Sequence, residues 1–334
     1  MRGLRAIAPV VAIVVIAVGT PYVVPIGQMT LAQTVMIDAL FAVSVNLLFG
    51  RAGVPTFGQA AFFGTGAYTA ALTSVHIPQV VPCLLISFGV SGVAAALCSL
   101  ATARSSGLAF SMLTLAIGQL AYTAAQTGGF FGGYNGLSGI PFPKVGSHVF
   151  VSTYDVWYFV SAVAGIGLLV LLYVWKSPFG YLLVTIREDA HRAAGLGINT
   201  RYVRAIAFTV SGAFAGLAGA LYAYTFQAVS PENLFWTVSA TPVVMLLLGG
   251  RNFFWGPAIG ALVYHSAIQL SSGATSNYNL YIGAIFVIIV IYVPGGILSI
   301  GTSVWTALRR RRPRGAPIDT TTSVLAGLTE DGAS

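Results

Sequence analysis

Long apolar runs separated by short polar turns dominate this chain of 334 residues. Ten such runs stand out, at about 6–26, 29–49, 60–76, 79–103, 107–127, 155–175, 204–226, 235–249, 253–270 and 278–294. A helix needs about 20 apolar residues to cross a bilayer, and most of these runs approach that length. None alternates with the period of two that marks the ~10-residue strands of a membrane barrel. The pattern therefore predicts an all-α polytopic membrane protein with about ten transmembrane helices. The count falls to eight if the short 235–249 run and one other do not cross. The first run is too long for the h-region of a signal peptide and no A-x-A-like site follows it, so it is read as a retained span.

One stretch breaks the pattern. Residues 176–204, KSPFGYLLVTIREDAHRAAGLGINTRYVR, carry Lys176, Arg187, Glu188, Asp189, Arg192, Arg201 and Arg204 between two apolar runs. Its middle has helix formers at 188–194, followed by Gly195 and Gly197, which predict the end of a short helix. A membrane protein that presents one short helix to the aqueous phase is most simply one that is driven by a soluble partner.

Composition sharpens this picture. The chain is 56% hydrophobic and 7% charged, against roughly a quarter charged residues in soluble domains. The few charges also set an orientation. With Arg2 and Arg5 in the cytoplasm and ten crossings, Arg51, Arg104, the 176–204 loop, Arg251 and the Arg309–Arg314 cluster all fall inside. Of the 16 basic residues only Lys144 then falls outside, as do Asp155 and Glu232. Both termini are expected in the cytoplasm. The net charge of +8 follows from this distribution and is no sign of nucleic-acid binding. The expected organisation is a transmembrane domain over 1–304 and a tail over 305–334, basic at first and then small, polar and disordered. Cys83 and Cys98 share one apolar run, ~22 Å apart along a helix at ~1.5 Å per residue, and cannot pair within it.

The 39 glycines form a second code. Lipid gives no hydrophobic drive for helix association, so backbones approach at small residues. Gly212, Gly216, Gly219 and Ala220 on one run, and Ala60, Gly64, Gly66 and Ala67 on another, predict close packing. Two glycine-rich segments at span ends, FGRAGVPTFGQ (49–59) and TGGFFGGYNGLSGIP (127–141), are too irregular to face lipid. Irregular backbone survives at membrane depth only where it is buried or lines an aqueous path. Gly53, Pro55, Phe57, Gly58, Gln59 and, just beyond, Gly64 are the candidate pathway or gate residues. LLFGR (47–51) and LLLGGR (246–251) both end an apolar run at Gly-Arg and precede an aromatic-Gly pair. The likeness is that of an internal duplication or of two membrane turns built alike.

Catalytic signatures are missing from the sequence. It has no P-loop, HExxH, GxSxG or Cys/His cluster with metal spacing, so neither an enzyme nor an ATP-binding chain is expected. Polar residues do occur within the predicted spans: Asp38, Asn46 and His265. A charge at the bilayer centre costs roughly 2.5–3.5 kcal/mol on insertion scales, which makes Asp38 a functional candidate. It serves either ion coupling or a hydrogen bond to a neighbouring helix. His265 and Asn46 are read chiefly as helix–helix contacts.

At these residues the chain resembles a known family. The run SVNLLFGRAGVPTFGQAAFFGTGAYTAAL (44–72) is similar to the N-terminal signature of branched-chain amino acid ABC transporter permeases, as are TLAIGQL (114–120) and GLSGIP (136–141). So are residues 177–224, SPENLF (230–235), LLLGGRNFFWGPAIGA (246–261) and VPGGIL (293–298). The resemblance is collinear over roughly 30–300 and is nearer to the M-type than to the other permease subunit. It implies a Type II-like ABC importer permease fold in a bacterial inner membrane. It also implies the partners: a second permease subunit, two ATP-binding cassette ATPase subunits and a periplasmic or lipid-anchored substrate-binding protein. ATP and Mg²⁺ would sit on those partner subunits and not on this chain. The resemblance further implies that the short helix docks on the ATPase, through Arg187, Glu188, Asp189, Ala190, Ala193, Ala194, Gly195 and Gly197. Two stretches depart from the family pattern. REDAHRAAGLGI (187–198) has Ala190 in place of a second acid, and GGRNFFWGP (249–257) is bulky where the family is usually small.

The expected activity is ATP-driven import of branched-chain amino acids (Leu, Ile, Val) or a related small polar solute by alternating access, with urea or short amides as the alternative within the family. A rival of another class is a secondary transporter coupled through Asp38, and a third is a membrane scaffold without transport.

Overall fold

The computed structural model describes residues 2–102, 105, 107–272, 283 and 295–299. Nine of its helices coincide with nine of the predicted runs: α1 (Arg2–Val23), α2 (Met29–Asn46), α3 (Gln59–His76), α4 (Val80–Thr102), α5 (Gly107–Thr127), α6 (Thr153–Lys176), α9 (Thr200–Phe226), α10 (Trp236–Gly249) and α11 (Gly256–Ser272). Two short helices between α6 and α9, α7 (Pro178–Glu188) and α8 (Ala190–Gly195), occupy the polar stretch. The predicted run at 278–294, Arg104 and the tail at 305–334 lie outside the described residues. Among the described residues, five helical stretches are long and apolar enough to cross a membrane: Ile26–Ala52, Val80–Thr102, Gly107–Thr127, Thr153–Lys176 and Thr200–Phe226. Helix α10 has 14 residues and an internal Pro242. At ~1.5 Å per residue it is about 21 Å long, short of the ~30 Å hydrocarbon core.

Helix α9 lies at the centre of the bundle, packed along both α3 and α4. Its small residues make this possible. A Cβ on Gly66 of α3 would lie 2.0 Å from the Gly216 carbonyl oxygen of α9, and one on Gly219 would lie 1.8 Å from that of Phe63. On the other side, Gly216 faces Ser91 and Gly212 faces Ala95, both on α4. Hydroxyls donate between neighbouring helices: Ser91 of α4 to the Phe62 carbonyl of α3 at 3.3 Å and Ser211 of α9 to the Ser44 carbonyl of α2 at 2.7 Å. The glycine pattern is thus a packing pattern, as its spacing predicts. Helices α10 and α11 form a hairpin of the same kind, in which a Cβ on Gly260 would lie 1.8 Å from the Met245 carbonyl oxygen.

Helix α2 does not stop at the Gly-Arg turn expected from its sequence. It continues as a π-helical stretch, Leu47–Ala52, and ends at Gly53 in the left-handed conformation (φ 66°). At the opposite end of the molecule, residues 127–150 fold over the helix ends and are held there by backbone pairing and by the Gln79 side-chain amide. Leu137–Ser138 pairs with Ala228–Val229, and Gln79 exchanges two hydrogen bonds with Gly146.

Candidate functional site

The 176–204 stretch is an elbow rather than the single short helix its composition suggests. Ser177 accepts from the Gly180 amide and Pro178 takes the first helical position, so α7 starts directly after α6. The turn is tight, since a Cβ on Gly180 would lie 2.3 Å from the Trp175 carbonyl oxygen. Helix α7 ends at Glu188 because Asp189 adopts an extended conformation (φ −154°, ψ 100°) and caps α8, its carboxylate accepting from the Arg192 amide at 2.9 Å. Arg187 and Glu188 therefore close one helix, while Ala190, Ala193 and Ala194 belong to the next. Helix α8 ends as predicted. Gly197 is left-handed (φ 83°), and the amides of Gly197 and Ile198 return to the carbonyls of Ala194 and Ala193, a Schellman closure. Ala193 is buried, while Glu188, Ala194, Gly195, Leu196 and Gly197 are exposed. Leu196, at 74% exposure, is an apolar knob next to two glycines whose surroundings are open.

Sequence spacing does not anticipate what Arg187 does. Its guanidinium donates to the Gly50 carbonyl, and its stem lies against Gly53, where a Cβ would come within 2.7 Å of the Arg187 Cγ. The end of α7 is thereby tied to the π-helical end of α2. Beside it, the Arg51 guanidinium stacks on Trp175 at 4.2 Å and lies 5.8 Å from the ring of Tyr181. The second Gly-Arg motif joins the same cluster. Asn46 donates to the Phe253 carbonyl at 3.1 Å, Gly50 lies against the Arg251 carbonyl, and Phe254 meets Trp175 edge-on. Phe253 and Phe254 are thus built into this end of the bundle.

From Gly53 the chain runs without regular structure to Gln59, threaded between α5 and α10. Its backbone groups are met by side chains. Ser111 donates to the Pro55 carbonyl at 2.8 Å, Thr114 accepts from the Phe57 amide at 3.4 Å, and Ser239 accepts from the Ala60 amide at 2.7 Å. Thr56, Gly58 and Gln59 are buried, while Gly53 is exposed and Val54, Pro55 and Phe57 are half-buried, so the irregular backbone is partly enclosed and partly open. Gly58 allows the Thr114 carbonyl to approach, and Gly64 sits under Leu234. The SPENLF motif positions that leucine through a 3-10 turn, Pro231–Leu234, in which Asn233 Oδ1 accepts from the Ser230 amide. Gln59 is different. It is fully buried, and neither atom of its amide group has a hydrogen-bond partner among the described residues. A cavity of about 130 Å³ opens next to Gly53, lined also by Ser99, Thr102, Arg201 and Arg204.

Asp38 and His265, read from sequence as separate polar residues, meet across α2 and α11. His265 Nε2 lies 2.6 Å from Asp38 Oδ2, with side chains 14% and 20% exposed. Asp38 is thus bonded to a neighbouring helix. Of the residues that carry the irregular segment, Thr114 opens the TLAIGQL motif, whereas Ser111 and Ser239 belong to no motif in the sequence. Ser111 and Thr114 are three residues apart on α5, a spacing that puts two hydroxyls on one helix face.

Comparison with known proteins shows the family of the chain. The family described as the permease component of branched-chain amino acid transport systems matches residues 28–294. LivM of Escherichia coli K12, a high-affinity branched-chain amino acid transport system permease protein, is 28% identical over 86% of this chain and 74% of its own length. NupQ of Bacillus subtilis, a guanosine ABC transporter permease protein, is 29% identical over 66% of this chain and 73% of its own. LivH of Escherichia coli K12, another high-affinity branched-chain amino acid permease protein, is 29% identical over 38% of this chain and 42% of its own. No solved structure matches the chain.

Proposed function

This chain belongs to the permease-component family of branched-chain amino acid transport systems, a multi-pass membrane subunit rather than an enzyme, and we propose that it carries branched-chain amino acids or a related small polar solute inward as half of a permease pair. Similarity to both LivM and LivH supports a pair of related subunits. The end of the molecule that gathers Arg51, Lys176, Arg187 and Arg251 is assigned to the cytoplasm, where the positive-inside rule puts it. Two ATPase subunits dock there, supplying ATP and Mg²⁺, and a substrate-binding protein delivers solute to the opposite face.

The observation that carries this reading is the tie between the elbow and the gate. Helix α8 presents Ala194, Gly195 and Leu196 outward as a partner surface. Movement of α8 reaches Arg187 through the Asp189 cap, and Arg187 holds Gly50 and Gly53 directly. The displaced element is therefore the segment 53–59 and the π-helical end of α2, in addition to the flanking helices α6 and α9. Gln59 is assigned to the pathway: its buried amide lacks a partner in this conformation and gains one when solute or water enters. Most other buried polar side chains are serines and threonines already bonded to backbone, which leaves most of the choice of solute to the binding protein. The name of NupQ marks the solute as the variable feature among relatives.

The test is co-purification with the neighbouring ATPases, followed by ATPase activity in nanodiscs with the cognate binding protein. Leu, Ile, Val, guanosine, urea and short amides are each added in turn. Stimulation by a branched-chain amino acid supports the proposal in full. Stimulation by guanosine, urea or an amide retains the importer and replaces the solute. Uptake without any ATPase overturns it in favour of coupling through Asp38.

A further inference from the structure

A second cavity, of about 820 Å³, lies between α1, α2, α6 and α11 and takes no part in the proposed pathway. Its walls are apolar, built from residues such as Ile13, Ala39, Leu168, Leu172 and Leu262. On α6 the lining positions 168, 172, 175 and 176 recur with helical spacing, so one face of that helix looks into the groove. Leu262 is 54% exposed at its edge, which opens the groove sideways toward lipid. The only charged lining residues among those described are Arg51 and Lys176, both at the basic end of the molecule, with Trp175 and Trp255 beside them.

We propose that this groove binds an anionic phospholipid of the inner leaflet, with an acyl chain along the apolar walls and its phosphate held by Arg51 and Lys176. The dimensions fit. From Val35 on α2 the groove runs to Arg51 on its π-helical extension; at the α-helical ~1.5 Å per residue this is at most about 24 Å. One leaflet with its headgroups measures about 20–22 Å. Charge chooses the class of occupant. Arg51 has no carboxylate partner among the described residues, its Nε is buried without an acceptor, and its guanidinium rests on the Trp175 ring. An apolar helix of another subunit would fill the walls but leave that cation unmet, because acids are rare in spans. A lipid phosphate supplies the acceptor, as basic pockets between helices do on the cytoplasmic side. Tryptophans at that level suit the interface. The site adjoins the tie between Arg187 and Gly50, so its occupant is placed to stiffen the coupling end. The proposal rests on the membrane fold and the inward orientation of the basic end, and not on the identity of the solute.

The experiment uses the full-length chain with equal amounts of phosphatidylglycerol and phosphatidylcholine, bound lipid being counted by native mass spectrometry. The expected result is retention of phosphatidylglycerol at least fivefold over phosphatidylcholine, falling below twofold in Lys176→Gln and in Arg51→Gln. Lys176 is exposed, so its variant reports binding even if Arg51→Gln fails to fold. Ala258→Phe, which fills the groove, is expected to release both lipids. Equal retention of the two lipids, or a preference untouched by Lys176→Gln, overturns the proposal. So does a third result. If phosphatidylglycerol with brominated chains quenches Trp175 and Trp255 in the isolated chain but not in the assembled permease pair, the groove is a subunit contact.

Discussion

Asp38 and His265 illustrate how much one contact decides. An acid alone in a span invites a coupling mechanism; one 2.6 Å from an imidazole on the next helix is already engaged. Contacting residues in such a pair typically share an interaction energy of 0.5–3 kcal/mol. A double-mutant cycle of Asp38→Asn and His265→Leu is expected to return about 1–2 kcal/mol by thermal unfolding in detergent, with ATP-dependent uptake in Asp38→Asn kept above half. Uptake abolished by Asp38→Asn while the fold is retained would return the residue to transport. Gln59 is the opposite case. A buried amide without partners costs roughly 1–3 kcal/mol, so Gln59→Leu is expected to leave melting unchanged or raise it. Solute flux should nonetheless fall several-fold, a split that a purely structural residue would not show.

At the scale of elements, the elbow separates two glycines that look alike in sequence. Gly195 has open surroundings and no positive φ, whereas Gly197 is held at φ 83°. Gly195→Leu is therefore expected to leave thermal stability intact while cutting solute-stimulated ATPase activity at least tenfold, because nothing in the described chain lies within 4 Å of the new side chain and the proposed ATPase contact is what it would disturb. Gly197→Leu should also loosen α8, at a cost of about 1–2 kcal/mol for the left-handed residue, seen as faster amide exchange across 190–198. Full coupling in both variants would mean that α8 is not the docking element. Arg187→Lys retains the charge but loses the planar fork that reaches Gly50 while its stem covers Gly53. The expected outcome is a fall of fivefold or more in solute carried per ATP hydrolysed, measured in proteoliposomes.

For the whole molecule, the glycine contacts of α9 set how closely three helices stack. Gly216→Leu would drive a side chain into Ser91 and toward the Phe62 backbone, where overpacking costs about 3 kcal/mol or more. Yield of folded protein by size-exclusion chromatography is expected to collapse. Gly89→Leu, on α4 with nothing within 4 Å, is expected to shift stability by no more than about 0.5 kcal/mol. The same substitution thus separates glycine as a packing device from glycine facing lipid.

The sequence by itself determined the class of molecule. Runs of apolar residues without a period of two demand helices in lipid, because only helices and closed barrels satisfy their backbone there, and nine of the ten predicted runs are helices among the described residues. The family signatures, the packing role of the small residues on α3 and α9, and the closure of α8 at Gly197 were legible for the same reason: each rests on local chemistry. Tertiary structure alone decided the partners. That Asp38 meets His265, that Arg187 reaches Gly50, and that Ser111 and Ser239 support the irregular segment all depend on contacts between residues far apart in the chain. Helical periodicity states which face a side chain occupies, but not which helix lies opposite.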